Sequence, residues 1–215
     1  MDSTVGRFLN WVRPRARSAH LGAYEDLAVA VDEFLRRPRR RGARRLRSSE
    51  VGPLLGNWYR RHGNRFETPA LRRFCAAMRV FARWQAQDAP VSESRQMAAQ
   101  AAVAARELVR AARVTALLDH SLRRHPARQD AVLCDGYWQV VLLGASHAVL
   151  REVGADEPIG PVSLPPAVVA ELRPGSILNL CIAADGQRWR VVQHGMCYPA
   201  MALGTLRIQA GPGPA

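Results

Sequence analysis

Apolar residues in this chain recur at helical spacing as far as about Arg124 and at alternating spacing after His125-Pro126. No single element can serve both periods, because a helix brings residues three and four apart onto one face and a strand brings every second residue. The change predicts an α+β protein: an N-terminal all-α bundle of four or five helices, then a small β-barrel or half-open β-sheet module. The expected division is a flexible or short helical N-terminus over 1–19, a basic helical domain over 20–125, a small β module over 130–208 and a disordered tail over 209–215. A chain of 215 residues suffices for one domain or two small ones, and its 48% hydrophobic content supports a packed core.

In the helical part, Phe8, Leu9, Trp11 and Val12 predict a short helix ending before Pro14, packed loosely or frayed at the chain end. Tyr24, Leu27, Ala28, Val31, Phe34 and Leu35 mark a helix from His20 to Arg37. Val51, Leu54, Leu55 and Trp58 mark the next, capped by Ser48 or Ser49 with Glu50 against its N-terminal dipole. Leu71, Phe74, Met78, Phe81 and Trp84 mark a further one, opened by Thr68-Pro69. Trp58 and Phe81 are expected in the core, against the helix that starts at His20. From Ser92 to Arg124, Met97, Ala101, Ala104, Leu108, Ala111, Leu118 and Leu122 define a long alanine-rich helix. Its seam is either buried within the domain or shared with a second chain.

Beyond Pro126, Tyr137–Leu143 and Ala148–Val153 read as strands joined by Gly144-Ala145-Ser146. Pro165-Pro166 opens a short helix that stops at Arg173-Pro174-Gly175. Ile177–Ile182 and Arg188–Gln193 form a hairpin around Ala184-Asp185-Gly186, and Leu206–Ile208 is a candidate last strand.

Charge is distributed unevenly. All 31 basic residues are arginine, a bias that on its own reflects coding composition as readily as function. Its distribution is more informative. Residues 1–128 hold 26 arginines against 11 acidic residues, a net +15, whereas residues 129–215 hold 5 against 7, a net −2. The densest stretch, Arg36–Arg47, has eight arginines in twelve residues, interrupted by Pro38 and Gly42. Like charges at that density require solvent or a polyanion, so the stretch reads either as a solvated loop or as a loop that contacts phosphate. The candidate phosphate contacts are Arg36, Arg37, Arg39, Arg40, Arg41, Arg44, Arg45 and Arg47 in the loop. Arg60, Arg61 and Arg65 follow at the next turn, and Arg72, Arg79 and Arg83 lie on the helix after it.

The chain carries none of the phosphate-loop, dinucleotide, zinc-protease or nucleophile-elbow motifs. Cys75, Cys134, Cys181 and Cys197 are too far apart for a zinc knuckle and read as small buried thiols. Glu25, Asp26, Asp32 and Glu33 read as partners for nearby arginines. His194, with Cys197 and Tyr198 close by, is the one small reactive-looking group, and it lacks an orienting partner in sequence. The expectation is therefore no catalysis, no metal and no cofactor. No apolar run reaches the roughly 18 residues of a membrane helix and no secretory leader is evident, so a cytoplasmic location is expected.

The helical run Tyr24–Trp84 resembles the core-binding (SAM-like) N-terminal domain of tyrosine recombinases and phage integrases. The match rests on Glu33-Phe34-Leu35, on Glu50–Tyr59 and on Ala77–Trp84, about a third of the chain. The resemblance implies a module that clamps DNA. His120-Ser121-Leu122-Arg123 fits the family's H-x-x-R catalytic motif literally, but no catalytic-domain-length region follows it. Glu171–Ile208 is similar to the SpoA-type β modules of flagellar and type III secretion ring proteins, which implies assembly as intertwined dimers.

Two functional readings follow. In the first, the protein is a non-catalytic DNA-binding or nucleoid-associated accessory protein, with a protein partner or homodimer formed through the β module or the alanine-rich helix. In the second, it is a structural adaptor whose basic domain docks on an acidic partner or an anionic membrane.

Overall fold

The computed structural model describes residues 4–36, 45–62, 68–88, 91–124, 133–186 and 188–203. The chain is mixed α+β and divides into two compact units, Met1–Arg106 and Glu107–Ala215.

The first unit is helical. Helices α1 (Thr4–Val12), α2 (Ser18–Leu35), α3 (Val51–His62) and α4 (Thr68–Gln85) precede the long α5 (Val91–Arg124), whose residues up to Arg106 belong here. The helix expected from His20 to Arg37 is α2, and α1 ends before Pro14 as its sequence predicts. Helix α1 is not loose, however. Phe8 is fully buried, edge-on to the ring of Phe81 at 5.0 Å and to Tyr24 at 6.1 Å. Trp58 and Phe81 are core residues as expected, but Phe81 meets Phe8 of α1, and Trp58 stacks flat on Phe74 of α4. Edge-to-face contacts such as Phe8–Phe81 add to plain area burial because ring edges are positive and ring faces negative.

The start of α3 differs from its sequence reading. Ser48–Glu50 forms a 3₁₀ turn ahead of α3, and no serine caps it. The buried Glu50 carboxylate instead accepts the Arg47 N–H at 2.9 Å, while the Ser48 hydroxyl turns to Gln96. A carboxylate there also meets the positive end of the helix dipole.

The second unit begins inside α5, so its opening element is helical. Five strands follow: β1 (Leu133–Leu143), β2 (His147–Glu152), β3 (Pro158–Ser163), β4 (Ile177–Asp185) and β5 (Arg188–Tyr198). A short helix, α6 (Pro166–Glu171), lies between β3 and β4. The strands close in the order β1-β2-β3-β5-β4. The closing pair β3–β5 is parallel and two residues long, Val162 to Trp189 and Ser163 to Arg190, so the ring is irregular at that seam. The other pairs are antiparallel.

Strand β3 went unread in the sequence because it contains Pro158, Gly160 and Pro161. Its pairing with β2 slips between Ala148 and Leu150, and prolines are tolerated in a sheet at such an irregularity. The β4–β5 hairpin turns at Gly186, whose φ of +62° is the left-handed conformation glycine adopts without cost. The Leu206–Ile208 strand expected in sequence lies outside the described residues.

The barrel core includes two α5 residues. Val114 and Leu118, each about 1% exposed, join Trp138, Val140, Leu150 and Leu180. The Trp138 indole N–H, which would otherwise be an unpaired buried donor, reaches the Leu180 carbonyl at 3.1 Å. Along β5 the register slips opposite Leu178 and Leu180, and the Cys197 N–H is satisfied by the Thr115 hydroxyl of α5 at 3.0 Å. The change from helical to alternating period near Pro126 marks where helix gives way to strand. The packing division lies earlier, because the second half of α5 completes the barrel.

Candidate nucleic-acid interface

The +13 net charge resolves sharply onto the structural units. Residues 1–106 hold 21 arginines against 9 acidic residues, and residues 107–215 hold 10 against 9. The surplus is a property of the helical unit.

Within that unit α4 presents a ladder. Leu71, Phe74, Met78 and Phe81 face inward and are buried, and the opposite side carries Arg72, Arg79 and Arg83, all exposed. At 3.6 residues per turn and 1.5 Å per residue, the second and third arginines lie within about 40° of each other around the axis. They are spaced along it by about 10 Å and then 6 Å. No described carboxylate lies within ion-pair distance of any of the three. Arg73 is also exposed, on the flank of the ladder.

At the C-terminal end of α4 the Gln85 amide donates to the Leu46 carbonyl at 3.0 Å, and Leu46 itself is buried. That anchor pins the chain between Arg45 and Arg47, both exposed, to the end of α4 that carries Arg83. Cations at a helix C-terminus are favourably placed against its dipole. Arg36 closes α2 and pairs with Asp32 at 2.7 Å, one of the arginine–carboxylate pairings expected for the acidic residues of α2; Arg13 with Glu25 at 3.6 Å is another. Exposed pairs of this kind contribute a few tenths of a kcal/mol. Of the remaining candidates, Arg37, Arg39, Arg40, Arg41, Arg44 and Arg65 lie outside the described residues. Arg60 and Arg61 fall in the last turn of α3, with side chains likewise outside the description.

The histidine group in the second unit has a partner that sequence could not reveal. His194 Nε2 lies 3.0 Å from Asp119 of α5, and Nδ1 lies 2.8 Å from the Gly195 carbonyl. The chain separation between Asp119 and His194 hides the pair from any local motif. The neighbouring thiol lies in the core. Cys197 is 1% exposed, and burial pushes its pKa up to about 12 despite the Thr115 hydroxyl. Burial likewise raises Cys75 to about 12, partly offset by Arg79. In the native protein both thiols should therefore resist maleimide labelling at pH 8 and react only after unfolding. Rapid labelling of either one without denaturant would show that its core is open.

Among the described residues no group of three or more His, Cys, Asp or Glu side chains could hold a metal ion, and no helix is long and apolar enough to cross a membrane. No family model, curated protein or solved structure matches the chain.

Proposed function

We propose that this chain is a non-catalytic DNA-binding accessory protein whose helical unit grips the phosphate backbone of a duplex. The observation that supports the reading is the ladder of Arg72, Arg79 and Arg83 on α4. Each guanidinium stands exposed without a carboxylate partner among the described residues, on a rigid helix whose inner face is locked into the core. Guanidinium groups pair bidentately with phosphate oxygens, and their fixed spacing on a helix gives a register on a backbone rather than on base edges. Such contacts supply affinity and little sequence preference. Arg45 and Arg47, held beside the end of α4, extend the same basic surface. On this reading the barrel unit is the partner-binding or assembly half. Because β4 and β5 pair with β1 and β3 of the same chain, its ring closes without strands from a second copy.

The test is a salt titration of duplex binding for the wild type and for Arg72→Gln/Arg79→Gln/Arg83→Gln. The variant should bind every duplex more weakly, and each lost contact should lower the log–log salt slope by about 0.9. Its thermal stability should match the wild type, because the three side chains are exposed. Equal slopes would end the DNA reading and favour an acidic protein or anionic membrane as the partner of the basic unit.

A further inference from the structure

The barrel carries a second arrangement that the helical ladder does not explain. Strand pairing aligns His147 of β2 with Ser163 of β3, and Ser163 with Arg190 of β5. Paired residues project from the same face of a sheet. Their immediate neighbours Ala148, Val162 and Trp189 pair with one another in the adjacent row and pack into the barrel core. The row of His147, Ser163 and Arg190 therefore lies on the outer surface, where His147 and Ser163 are exposed and Arg190 half-exposed. It spans two strand spacings, about 10 Å.

Each member is available. Among the described arginines of this unit, Arg110 and Arg113 are tied to Glu107 and Glu171, Arg151 to Gln139, and Arg173 to backbone carbonyls. Arg188 and Arg190 have no such partner among the described residues, and of the two it is Arg190 that pairs with Ser163. The imidazole of His147 lies over Gly144, in space that a Cβ there would occupy. The turn beneath it is fixed at both sides, Gly144 N–H to the His147 carbonyl at 2.9 Å and Leu164 N–H to the Ser146 carbonyl at 3.0 Å. Beside the row, Leu142 is 63% exposed and is paired to Val149 of the same outer face.

A guanidinium and a hydroxyl that can bind phosphate oxygens thus adjoin an exposed aromatic ring and an exposed apolar side chain. The surface is open, so a small free anion would remain largely in water and gain little from it. A chain that alternates phosphates with flat aromatic groups would use both halves of the row. The geometry points to a single-stranded oligonucleotide-binding row on the barrel, with Arg190 and Ser163 on the phosphate and His147 and Leu142 against a base. Base stacking on protein aromatics is tolerant of sequence and adds to backbone electrostatics. Duplex DNA keeps its bases stacked inward and offers this row only its backbone.

The experiment compares a fluorescent oligothymidylate with a duplex of the same length, titrated against the full chain at fixed salt. His147→Ala/Arg190→Gln should weaken single-strand binding about tenfold and leave duplex binding within about twofold of the wild type. Gly144→Ala, which displaces the imidazole and leaves all charges in place, should also weaken the single strand selectively. Excess inorganic phosphate and polyglutamate should compete poorly at matched ionic strength. The inference is overturned if the double variant, with an unchanged melting curve, binds oligothymidylate as the wild type does. A parallel loss on the duplex, or equal competition by polyglutamate, would overturn it as well. The α4 triple variant separates the two ideas: if it retains duplex binding the proposed function fails, whereas the barrel row is judged by the barrel variants.

Discussion

A fragment beginning at Asp130 should fail to fold, whereas one beginning at Glu107 should fold cooperatively. The strands alone look like a complete module in sequence, but the barrel core includes Val114 and Leu118 from α5. Burying side chains of this kind stabilises by about 1.5–3 kcal/mol each. The Thr115 hydroxyl adds a hydrogen bond to the Cys197 N–H, which would otherwise be a buried donor without a partner. A unit of this size is stable by roughly 5–16 kcal/mol, at about 0.05–0.15 kcal/mol per residue. Removing the helix therefore costs a large part of the total and opens the apolar interior to water. Far-ultraviolet circular dichroism and urea titration of the two fragments distinguish the outcomes. A cooperative transition of equal midpoint in both would mean that α5 merely lies on a barrel that is stable without it. Leu118→Ala in the longer fragment should lower the midpoint by the equivalent of about 2–5 kcal/mol.

The order of elements was legible because each rests on a local period: α2, α4, α5 and the β4–β5 hairpin follow directly from apolar spacing and from Pro and Gly at their ends. What stayed hidden was long-range or irregular. Strand β3 was obscured by two prolines, of which Pro158 opens the strand and Pro161 sits where its register slips, a compensation that only the neighbouring strand provides. The alanine-rich seam of α5 announced a buried face but could not say that Met97 and Ala101 serve one unit while Val114 and Leu118 serve the other. Glu50 displaced the serines as the cap of α3 because its side chain reaches back to Arg47, a competition between neighbours that propensity does not rank. For the candidate interface, Arg72, Arg79 and Arg83 could be placed on one face from spacing alone, and the structure puts them there. That Arg36 is paired with Asp32 is a matter of local geometry, and the Asp119–His194 contact depends on the docking of α5 on β5.

Replacing Phe8 by alanine should destabilise the helical unit by about 3–5 kcal/mol, as much as Phe81→Ala, although Phe8 lies near the chain terminus. Terminal segments are commonly frayed, and the sequence of α1, with its four large apolar residues ahead of Pro14, was compatible with that. The packing is not. Phe8 is fully buried among Tyr24 of α2 and Phe81 and Trp84 of α4, with ring centroids 6.1, 5.0 and 5.4 Å away. It is thus the point at which three helices share aromatic surface, and truncation leaves a cavity that none of them can close without moving. Because Phe8 and Phe81 touch, their effects should not add: a double-mutant cycle should return a coupling of about 0.5–1.5 kcal/mol. Deleting residues 1–17 should reproduce the loss. Urea denaturation followed by circular dichroism supplies all of these numbers. A Phe8→Ala protein within about 0.5 kcal/mol of the wild type would show that α1 contributes nothing to the core, and α4 would then hold its arginine ladder against α2 and α3 alone.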